Sequence, residues 1–197
     1  MTPALAIFLK APRLGTVKTR LAAEIGDRQA LRLYRLMADR TLTAARDAGL
    51  EATVWFTPAD AALEMRFWLG ECWELRPQAS GDLGARLAAA GQSVAPGRGW
   101  LAIGADCPAL DAELLRVAGA IVVQGEIALG PTADGGYYLI GGRAPLPALF
   151  DAMPWSTSRV LAETRARLAR AGIAWRELPM LRDVDTAEDA RAEGLLT

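Results

Sequence analysis

The sequence contains no histidine, and this absence excludes more chemistry than any other feature of its composition. Ser-His-Asp triads, Cys-His dyads, histidine general bases and histidine-ligated zinc are all ruled out. The two cysteines, Cys72 and Cys107, are too few for a disulfide framework or a four-cysteine zinc site. Any chemistry must therefore use carboxylates, lysine, arginine, hydroxyl groups or a metal held by oxygen ligands.

The chain also lacks an excess of charge of either sign and any long apolar run. Among 197 residues, 22 basic side chains stand against 23 acidic ones, for a formal charge of -1. Nucleic acid is therefore not an expected partner, because binding it requires a basic face. No stretch approaches the roughly 20 apolar residues that span a bilayer, and the short apolar run after Met1 is not typical of a signal peptide. We expect a cytoplasmic protein without a membrane span.

What the chain does contain is an alternation of apolar, β-rich segments with segments of helical spacing. This alternation predicts an α/β sandwich with a mostly parallel central sheet. No repeat or linker divides the chain, so we predict a single domain over residues 1–197. The predicted strands are 4–9, 51–57, 72–77, 99–106, 126–131, 136–142 and 174–179, and the predicted helices are 28–48, 82–95, 111–120, 156–171 and 186–195.

Lysine is nearly absent, yet both lysines lie in one short segment. Lys10 and Lys18 stand in "KAPRLGTVKTRL", directly after the first predicted strand, together with Arg13 and Arg20 and around a turn at Gly15. In open α/β sheets, ligands bind beyond the carboxyl ends of the strands. We therefore predict that this loop binds the phosphates of a di- or triphosphate.

The same loop is predicted to lead into a helix that begins at Val17, with Thr16 as its N-cap. It contains neither G-x-x-x-x-G-K-[ST] nor G-x-G-x-x-G, so it is not a Walker loop or a dinucleotide fingerprint. A solvated basic turn is the alternative interpretation.

Carboxylates follow three of the later apolar segments. Asp106 ends "LAIGAD", and Asp111 is the predicted cap of the following helix, which leaves Asp106 free for another role. In "LRDVDTAEDA", Asp183 and Asp185 precede a predicted N-cap at Thr186, so helix capping does not account for them.

Asp134 lies in "GPTADGGYYLIGG", directly before Gly135 and Gly136. It is predicted as a turn residue, a base or a ligand, since D-G-G is also a common turn sequence. The two glycines would let the backbone approach a sugar or a phosphate closely. Tyr137 and Trp155 are the aromatic side chains that we expect beside a substrate.

If Asp106 and Asp185 converge, they need a counter-charge. Two anions about 4 Å apart repel by roughly 4 kcal/mol at an effective dielectric constant of 20. With oxygen ligands alone, the cation that fits is Mg²⁺ or Mn²⁺, completed by water and substrate phosphates. A phosphate loop that faces such a metal pair is typical of nucleotide-dependent transfer.

Six ordered blocks of the sequence resemble one known family. They are "KAPRLGTVKTRL", "QASGDLGARL", "IGADCPAL", "GPTADGGYYLIGG", "PWSTSRVLAET" and "LRDVDTAEDA". With these blocks the chain is similar to the GT-A-type glycosyltransferases of the nucleotide-diphospho-sugar transferase superfamily, including the bacterial group linked by name to arsenosugar biosynthesis. The likeness covers nearly the whole chain. Ala105 departs from a usual Ser or Thr, and Ala187 departs from a usual proline.

The resemblance implies a three-layer α/β sandwich with a mixed, mostly parallel, seven-stranded sheet and a nucleotide pocket. It implies phosphate binding by the first loop and a metal on Asp106 and Asp185. We expect catalytic roles for Asp106 and Asp134. The segment "GDLG" would lie near the base through Gly81, Asp82, Leu83 and Gly84, and the expected substrate contacts are Gly135, Gly136, Tyr137, Trp155 and Ser156.

The leading hypothesis is a metal-dependent transferase, a glycosyltransferase whose donor is a nucleoside diphosphate-sugar and whose acceptor is a small molecule. A nucleotidyltransferase that takes a nucleoside triphosphate and releases pyrophosphate is one alternative, and a nucleotide-binding protein without catalysis is another. The base and sugar of the donor, the acceptor, the stereochemical outcome and the oligomeric state, for which a homodimer is one option, stay open.

Overall fold

The computed structural model describes residues 2–144 and 146–196, which build one seven-stranded sheet with helices on both faces. The strands are β1 (Ala4–Lys10), β2 (Ala52–Thr57), β3 (Glu74–Pro77), β4 (Trp100–Ile103), β5 (Ile127–Pro131), β6 (Tyr137–Gly142) and β7 (Trp175–Glu177). The helices are α1 (Thr19–Ile25), α2 (Asp27–Asp47), α3 (Ala62–Leu69), α4 (Leu83–Gln92), α5 (Ala112–Val123), α6 (Pro147–Phe150), α7 (Val160–Arg170) and α8 (Ala187–Ala192).

The sheet is mixed and mostly parallel, as predicted. Its strand order is β3-β2-β1-β4-β6-β5-β7, and β6 runs antiparallel to both of its neighbours while the other pairs are parallel. The carboxyl ends of six strands therefore lie at one edge of the sheet, where the amino end of β6 joins them. Every acidic site predicted from the sequence follows a strand at this edge.

Alternating side chains of β1 separate two cores. Leu5, Ile7 and Leu9 are buried on the face that α2, α3 and α5 cover. Ala6 is buried on the opposite face, with side chains of α4, α6 and α7. This period of two is what a strand buried on both faces requires.

A third buried cluster lies at the ligand edge and joins α1, α2 and α8. Its centre is formed by Leu21, Met37 and Val184, each less than 1% exposed. Because Leu21 follows the lysine loop and Val184 precedes Asp185, this cluster holds two distant segments of the chain side by side. No helix in the described ranges is long and apolar enough to cross a membrane.

All seven predicted strand segments form strands, but two helix starts were predicted wrongly. Helix α1 begins at Thr19, because Lys18 has a left-handed backbone (φ 49°, ψ 48°) that cannot continue a right-handed helix. Thr16 is not its cap, and its hydroxyl donates instead to the Arg13 carbonyl at 3.0 Å. Helix α7 begins at Val160 and not at Ser156, whose backbone is left-handed with φ 61°.

Candidate active site

Two adjoining clefts open at the carboxyl edge of the sheet. The first cleft, of about 380 Å³, lies beyond β1 and β2 and is bordered by Lys10, Lys18 and Thr57. The second cleft, of about 540 Å³, lies beyond β5 and before α7. Three charged side chains border both clefts: Arg20, Asp106 and Asp185. The two predicted metal ligands therefore stand at the boundary between the clefts.

The Lys18 ammonium bridges these two carboxylates. Its Nζ lies 2.6 Å from Asp106 Oδ1 and 3.0 Å from Asp185 Oδ1. The lysine side chain is only 5% exposed, whereas the two carboxylates are 52% and 42% exposed. Burial lowers the pKa of Lys18, but Asp106 and Asp185 more than offset this, so the pKa lies above its usual value. The Lys18 ammonium is therefore protonated throughout the neutral pH range.

Backbone contacts fix the two acidic loops against each other. The amide of Val184 donates to the Asp106 carbonyl at 2.9 Å. Thr186 caps α8 as predicted, in a capping box with Asp189, whose Oδ2 also accepts from the Asp185 amide at 3.3 Å. Asp185 thus stands directly before a well-formed helix start, which restricts its movement.

The floor of the first cleft is built by two residues that sequence analysis missed. Tyr34 Oη accepts from the Lys10 amide at 2.8 Å and donates to the Lys10 carbonyl at 2.6 Å, and burial raises the pKa of its hydroxyl. Gln78 donates its amide to the carbonyls of Trp55 and Leu9 at 2.9 and 3.3 Å. Tyr34 has the spacing of a core residue of α2, and Gln78 could have been noticed only as the residue that follows a strand.

The predicted phosphate loop is divided by the structure. Lys10 is exposed at the first cleft and donates to the Thr16 carbonyl at 2.5 Å, and Arg20 lies 3.7 Å from Asp185. Arg13 borders neither cleft in the described ranges, because it binds Glu64 at 2.8 Å and Asp60 at 3.2 Å.

Gly15 of the lysine loop and the residues of the "GDLG" segment mainly shape the backbone beside the clefts. Gly15 and Gly81 have positive φ angles of 73° and 102°, and Asp82 caps α4 by accepting from the Ala85 amide at 2.9 Å. Gly84 is buried so closely against Phe150 that a Cβ there would lie 2.9 Å from the Phe150 Cβ. Leu83 borders the second cleft. Within residues 2–144 and 146–196, Gly15, Gly81, Asp82 and Gly84 border neither cleft.

Asp134 organises the turn at the mouth of the second cleft. Its Oδ1 accepts from the Thr132 hydroxyl at 2.5 Å and from the Gly136 amide at 2.9 Å. A Cβ on Gly135 would lie 2.3 Å from the Ser158 carbonyl oxygen, so only glycine allows this contact with the segment before α7. Asp134 therefore stabilises this turn through its side chain, and it also borders the cleft.

Three further side chains border the second cleft. Asp183, which sequence analysis left without a role, has its pKa raised by burial and by the nearby Asp134. Tyr137 and Trp155 stand edge to face, with ring centroids 6.3 Å apart. The Tyr137 hydroxyl and the Trp155 indole nitrogen are both buried without a hydrogen-bond partner among the described residues. The structure thus brings the predicted substrate residues Gly136, Tyr137, Trp155 and Ser156 to one cleft.

Protein side chains alone do not form a complete metal site. Within the two described ranges, no three Asp, Glu or Cys side chains gather closely enough to hold an ion. Cys107 borders the second cleft, but it is largely buried and burial raises the pKa of its thiol, which disfavours a thiolate nucleophile. A metal on Asp106 and Asp185 would need oxygen ligands from a substrate or from water.

Comparison with known proteins places this chain in a protein family. A family model described as "Uncharacterized protein conserved in bacteria (DUF2064)" matches residues 41–157. A crystal structure of a proposed nucleotide-diphospho-sugar transferase from Desulfovibrio desulfuricans G20 is 31% identical, with a TM-score of 0.91, and the match covers 98% of this chain and 87% of the other. A comparison with curated proteins gave no match.

More distant solved structures share the fold. Rv0371c from Mycobacterium tuberculosis H37Rv in complex with manganese is 22% identical over 99% of this chain and 98% of the other, with a TM-score of 0.59. The inositol-1-phosphate CTP transferase from T. maritima is 11% identical over 99% and 95%, with a TM-score of 0.64. These matches confirm the predicted fold class and the resemblance to nucleotide-diphospho-sugar transferases.

Proposed function

The chain belongs to the DUF2064 family of bacterial proteins, and from this membership and the geometry of its clefts we propose that it is a divalent-metal-dependent transferase whose donor is a nucleoside diphosphate-sugar. One observation carries the proposal. Asp106 and Asp185 converge on a single cation position at the boundary between two clefts, one basic and one acidic. A donor diphosphate placed there would have its transferable group facing the second cleft.

The first cleft offers the charge that a diphosphate needs. Lys10 and Arg20 are exposed at its rim, and Lys18 lies at its inner end. Each charge-assisted hydrogen bond from these groups to a phosphate oxygen contributes roughly 1.5–3 kcal/mol. Arg13 has no place in this set, since two carboxylates already bind it.

The acidic pair fits a magnesium or manganese ion. One oxygen of each carboxylate lies within 3.0 Å of the same ammonium nitrogen, so both already face one cationic group. Two carboxylates completed by phosphate oxygens and water are a common set for these ions, and the manganese complex of Rv0371c supports this choice. The bound ion would neutralise charge on the leaving diphosphate. We propose that Lys18 then leaves the carboxylates and binds a phosphate oxygen.

Nucleotidyl transfer is the second candidate function, because it would use the same cleft and acids. Its support is that two neighbours of the same fold are named for CTP chemistry: the inositol-1-phosphate CTP transferase and a CMP:2-keto-3-deoxy-manno-octonic acid synthetase complexed with CTP. In that case the triphosphate would lie in the first cleft and pyrophosphate would leave.

A thermal-shift panel tests the proposal. Nucleoside di- and triphosphates and nucleotide-sugars are each added with and without Mn²⁺ to the wild type, to Asp106→Asn and to Asp60→Asn, a control that removes an exposed carboxylate outside both clefts. We expect one nucleotide-sugar to stabilise the wild type and Asp60→Asn only with Mn²⁺, by about 2.7 kcal/mol at a hundred times its dissociation constant. Asp106→Asn should lose this gain. The proposal fails if no nucleotide-sugar shifts the melting temperature.

A further inference from the structure

We infer that the second cleft binds the acceptor and selects an uncharged or cationic polyhydroxyl compound, such as a sugar or amino sugar, against its phosphorylated form. This inference deepens the proposed function and rests on it. It adds an acceptor class, which the family description does not name.

The charge inside the second cleft opposes an anionic ligand. Asp134 and Asp183 border it away from the first cleft, whereas Asp106 and Asp185 border it at the boundary, where Lys18 bridges them and offsets part of their charge. The carboxylates that oppose an anion are therefore mainly Asp134 and Asp183. Arg20 is the one basic side chain on this wall in the described part of the chain, and it is 77% exposed and lies 3.7 Å from Asp185. A phosphate on the acceptor would therefore meet like charge, whereas hydroxyl and ammonium groups can donate hydrogen bonds to these carboxylates.

Two polar atoms with no partner indicate a ligand with hydroxyl groups. The Tyr137 hydroxyl and the Trp155 indole nitrogen are buried and lack hydrogen-bond partners among the described residues, although such groups are usually satisfied. Neither atom is exposed at the cleft surface, so a ligand in the cleft reaches them only when the two rings turn. The indole nitrogen can then only donate, and the phenol can donate or accept, so the hydroxyl groups of a sugar suit both. The two rings also supply the apolar surface on which the carbon face of a sugar can pack.

The opposite wall adds short hydroxyl side chains on a fixed backbone. Ser156, Thr157 and Ser158 line the cleft before α7. Their segment is held against the turn after β5 because the Leu161 amide donates to the Gly135 carbonyl at 2.8 Å. A polar wall fixed in this way can select a ligand by shape and by hydrogen bonding.

This acceptor class favours glycosyl transfer over nucleotidyl transfer to a phosphate group. The acceptor hydroxyl oxygen forms a bond to the anomeric carbon of the donor. The bond from that carbon to the diphosphate breaks, and its electron pair leaves on the nucleoside diphosphate. The hydroxyl proton passes to a cleft carboxylate or to solvent, so atoms and charge balance.

Indole ¹⁵N–¹H NMR of the free protein tests the inference without a donor. Glucose, glucosamine and their 6-phosphates are titrated into the wild type, and Trp155→Phe identifies the Trp155 signal. We expect the unphosphorylated sugars to shift this signal, with affinities at least tenfold higher than those of the 6-phosphates. Equal or tighter binding of the 6-phosphates, or no shift with any of the four sugars at 100 mM, would overturn the inference.

Three variants make the test specific. Asp183→Asn should narrow the discrimination against the 6-phosphates, and Asp151→Asn, an exposed control outside both clefts, should not. Tyr137→Phe should weaken glucose binding about threefold to tenfold, the loss of one hydrogen bond. Mn²⁺-dependent stabilisation of the wild type by nucleotides reports on the donor side separately, so failure of the acceptor site is distinguishable from failure of the proposed function. Unchanged glucose affinity in Tyr137→Phe would contradict the assigned contact.

Discussion

At the scale of single residues, Lys18 has two competing roles. Its rarity predicted a phosphate ligand, and the structure places its ammonium between Asp106 and Asp185, where the sequence predicted a metal. These roles are compatible if the ammonium is the counter-charge of the acidic pair until a metal and a phosphate arrive. The left-handed backbone at Lys18 turns the chain at this point and starts α1 one residue later.

Replacement of Lys18 by methionine should expose the repulsion between the two acids. We expect Lys18→Met to lose about 1–2 kcal/mol of stability without metal, because the half-exposed carboxylates lose their shared counter-ion. For a chain of this size, that is a fall in melting temperature of about 3–6 °C. Mn²⁺ should restore the loss and stabilise the variant more than the wild type.

The control for this prediction is Lys10→Met, since Lys10 is exposed and pairs with no carboxylate among the described residues. Its melting temperature should change little, with or without Mn²⁺. If Lys18→Met were as stable as the wild type in EDTA and Mn²⁺ had no larger effect on it, the bridging role would be wrong. Differential scanning calorimetry in EDTA and in Mn²⁺ measures both quantities.

Sequence identified most charged residues of the site but not their partners. Lys10, Lys18, Asp106 and Asp185 were predictable because they follow strands or stand out in composition. The sequence could not show that Arg13 lies outside the clefts, unlike Lys10 and Lys18. That position depends on its contact with Glu64, which lies on helix α3, and the sequence did not predict this helix. Pairing between distant segments depends on tertiary packing, which local patterns do not encode.

At the scale of elements, the turn after β5 and the segment before α7 act as one wall. Gly135 fixes their contact, because any side chain there would meet the Ser158 backbone. At Gly135, the close approach that glycine allows is between this backbone and the Ser158 backbone. The wall supports the second cleft, so damage to it should affect folding and acceptor binding together.

Gly135→Ala should be clearly more destabilising than Gly172→Ala. Both glycines have positive φ, 88° and 64°, but a Cβ at Gly172 meets nothing within 4 Å. We expect a loss of about 1 kcal/mol for Gly172→Ala from backbone strain alone, and about 1–3 kcal/mol more for Gly135→Ala from the clash. Urea unfolding of both variants measures the difference in the free energy of unfolding. Equal losses would contradict the prediction, because they would show that the Ser158 backbone moves away from the added Cβ at little cost.

The capping box of α8 should matter for the position of Asp185. Thr186→Ala removes the side-chain bond to the Asp189 amide and should cost about 1 kcal/mol. It should also weaken Mn²⁺ binding, since Asp185 lies directly before the cap. Thr43→Ala, which removes an exposed hydroxyl bond on α2, is the control and should change neither value. A Thr186→Ala variant with wild-type stability would show that the cap does not stabilise α8 or position Asp185.

The strands were predictable and some helix boundaries were not. Seven apolar or β-rich segments bounded by turn residues gave all seven strands. The inner strands are buried on both faces of the sheet, whereas the edge strands β3 and β7 are largely exposed. Helix α3 escaped prediction, since Leu63 and Phe67 are 84% and 96% exposed and the apolar spacing is weak. Helix α6 is only four residues long. The starts of α1 and α7 were misplaced because left-handed residues precede them, which pattern analysis did not detect.

At the scale of the whole molecule, the sheet topology divides the site into a donor side and an acceptor side. Strands β1 to β3 lead into the basic first cleft, and β5 to β7 surround the acidic second cleft. Sequence predicted that the ligand residues would share one edge, because parallel strands end together. It did not predict two clefts of different charge, since strand order and the position of the reversed strand β6 determine that division.

The most direct test of a nucleotide-sugar transferase is phosphorus NMR of its products. The protein, Mg²⁺, glucosamine and the nucleotide-sugar that gives the largest thermal stabilisation are incubated together, beside the same mixture with Asp106→Asn. We predict that the nucleoside diphosphate signal rises with time in the wild type and is absent in the variant. An intact nucleotide-sugar, together with pyrophosphate release when the corresponding nucleoside triphosphate and a sugar phosphate are supplied instead, would contradict glycosyl transfer and assign the site to nucleotidyl transfer.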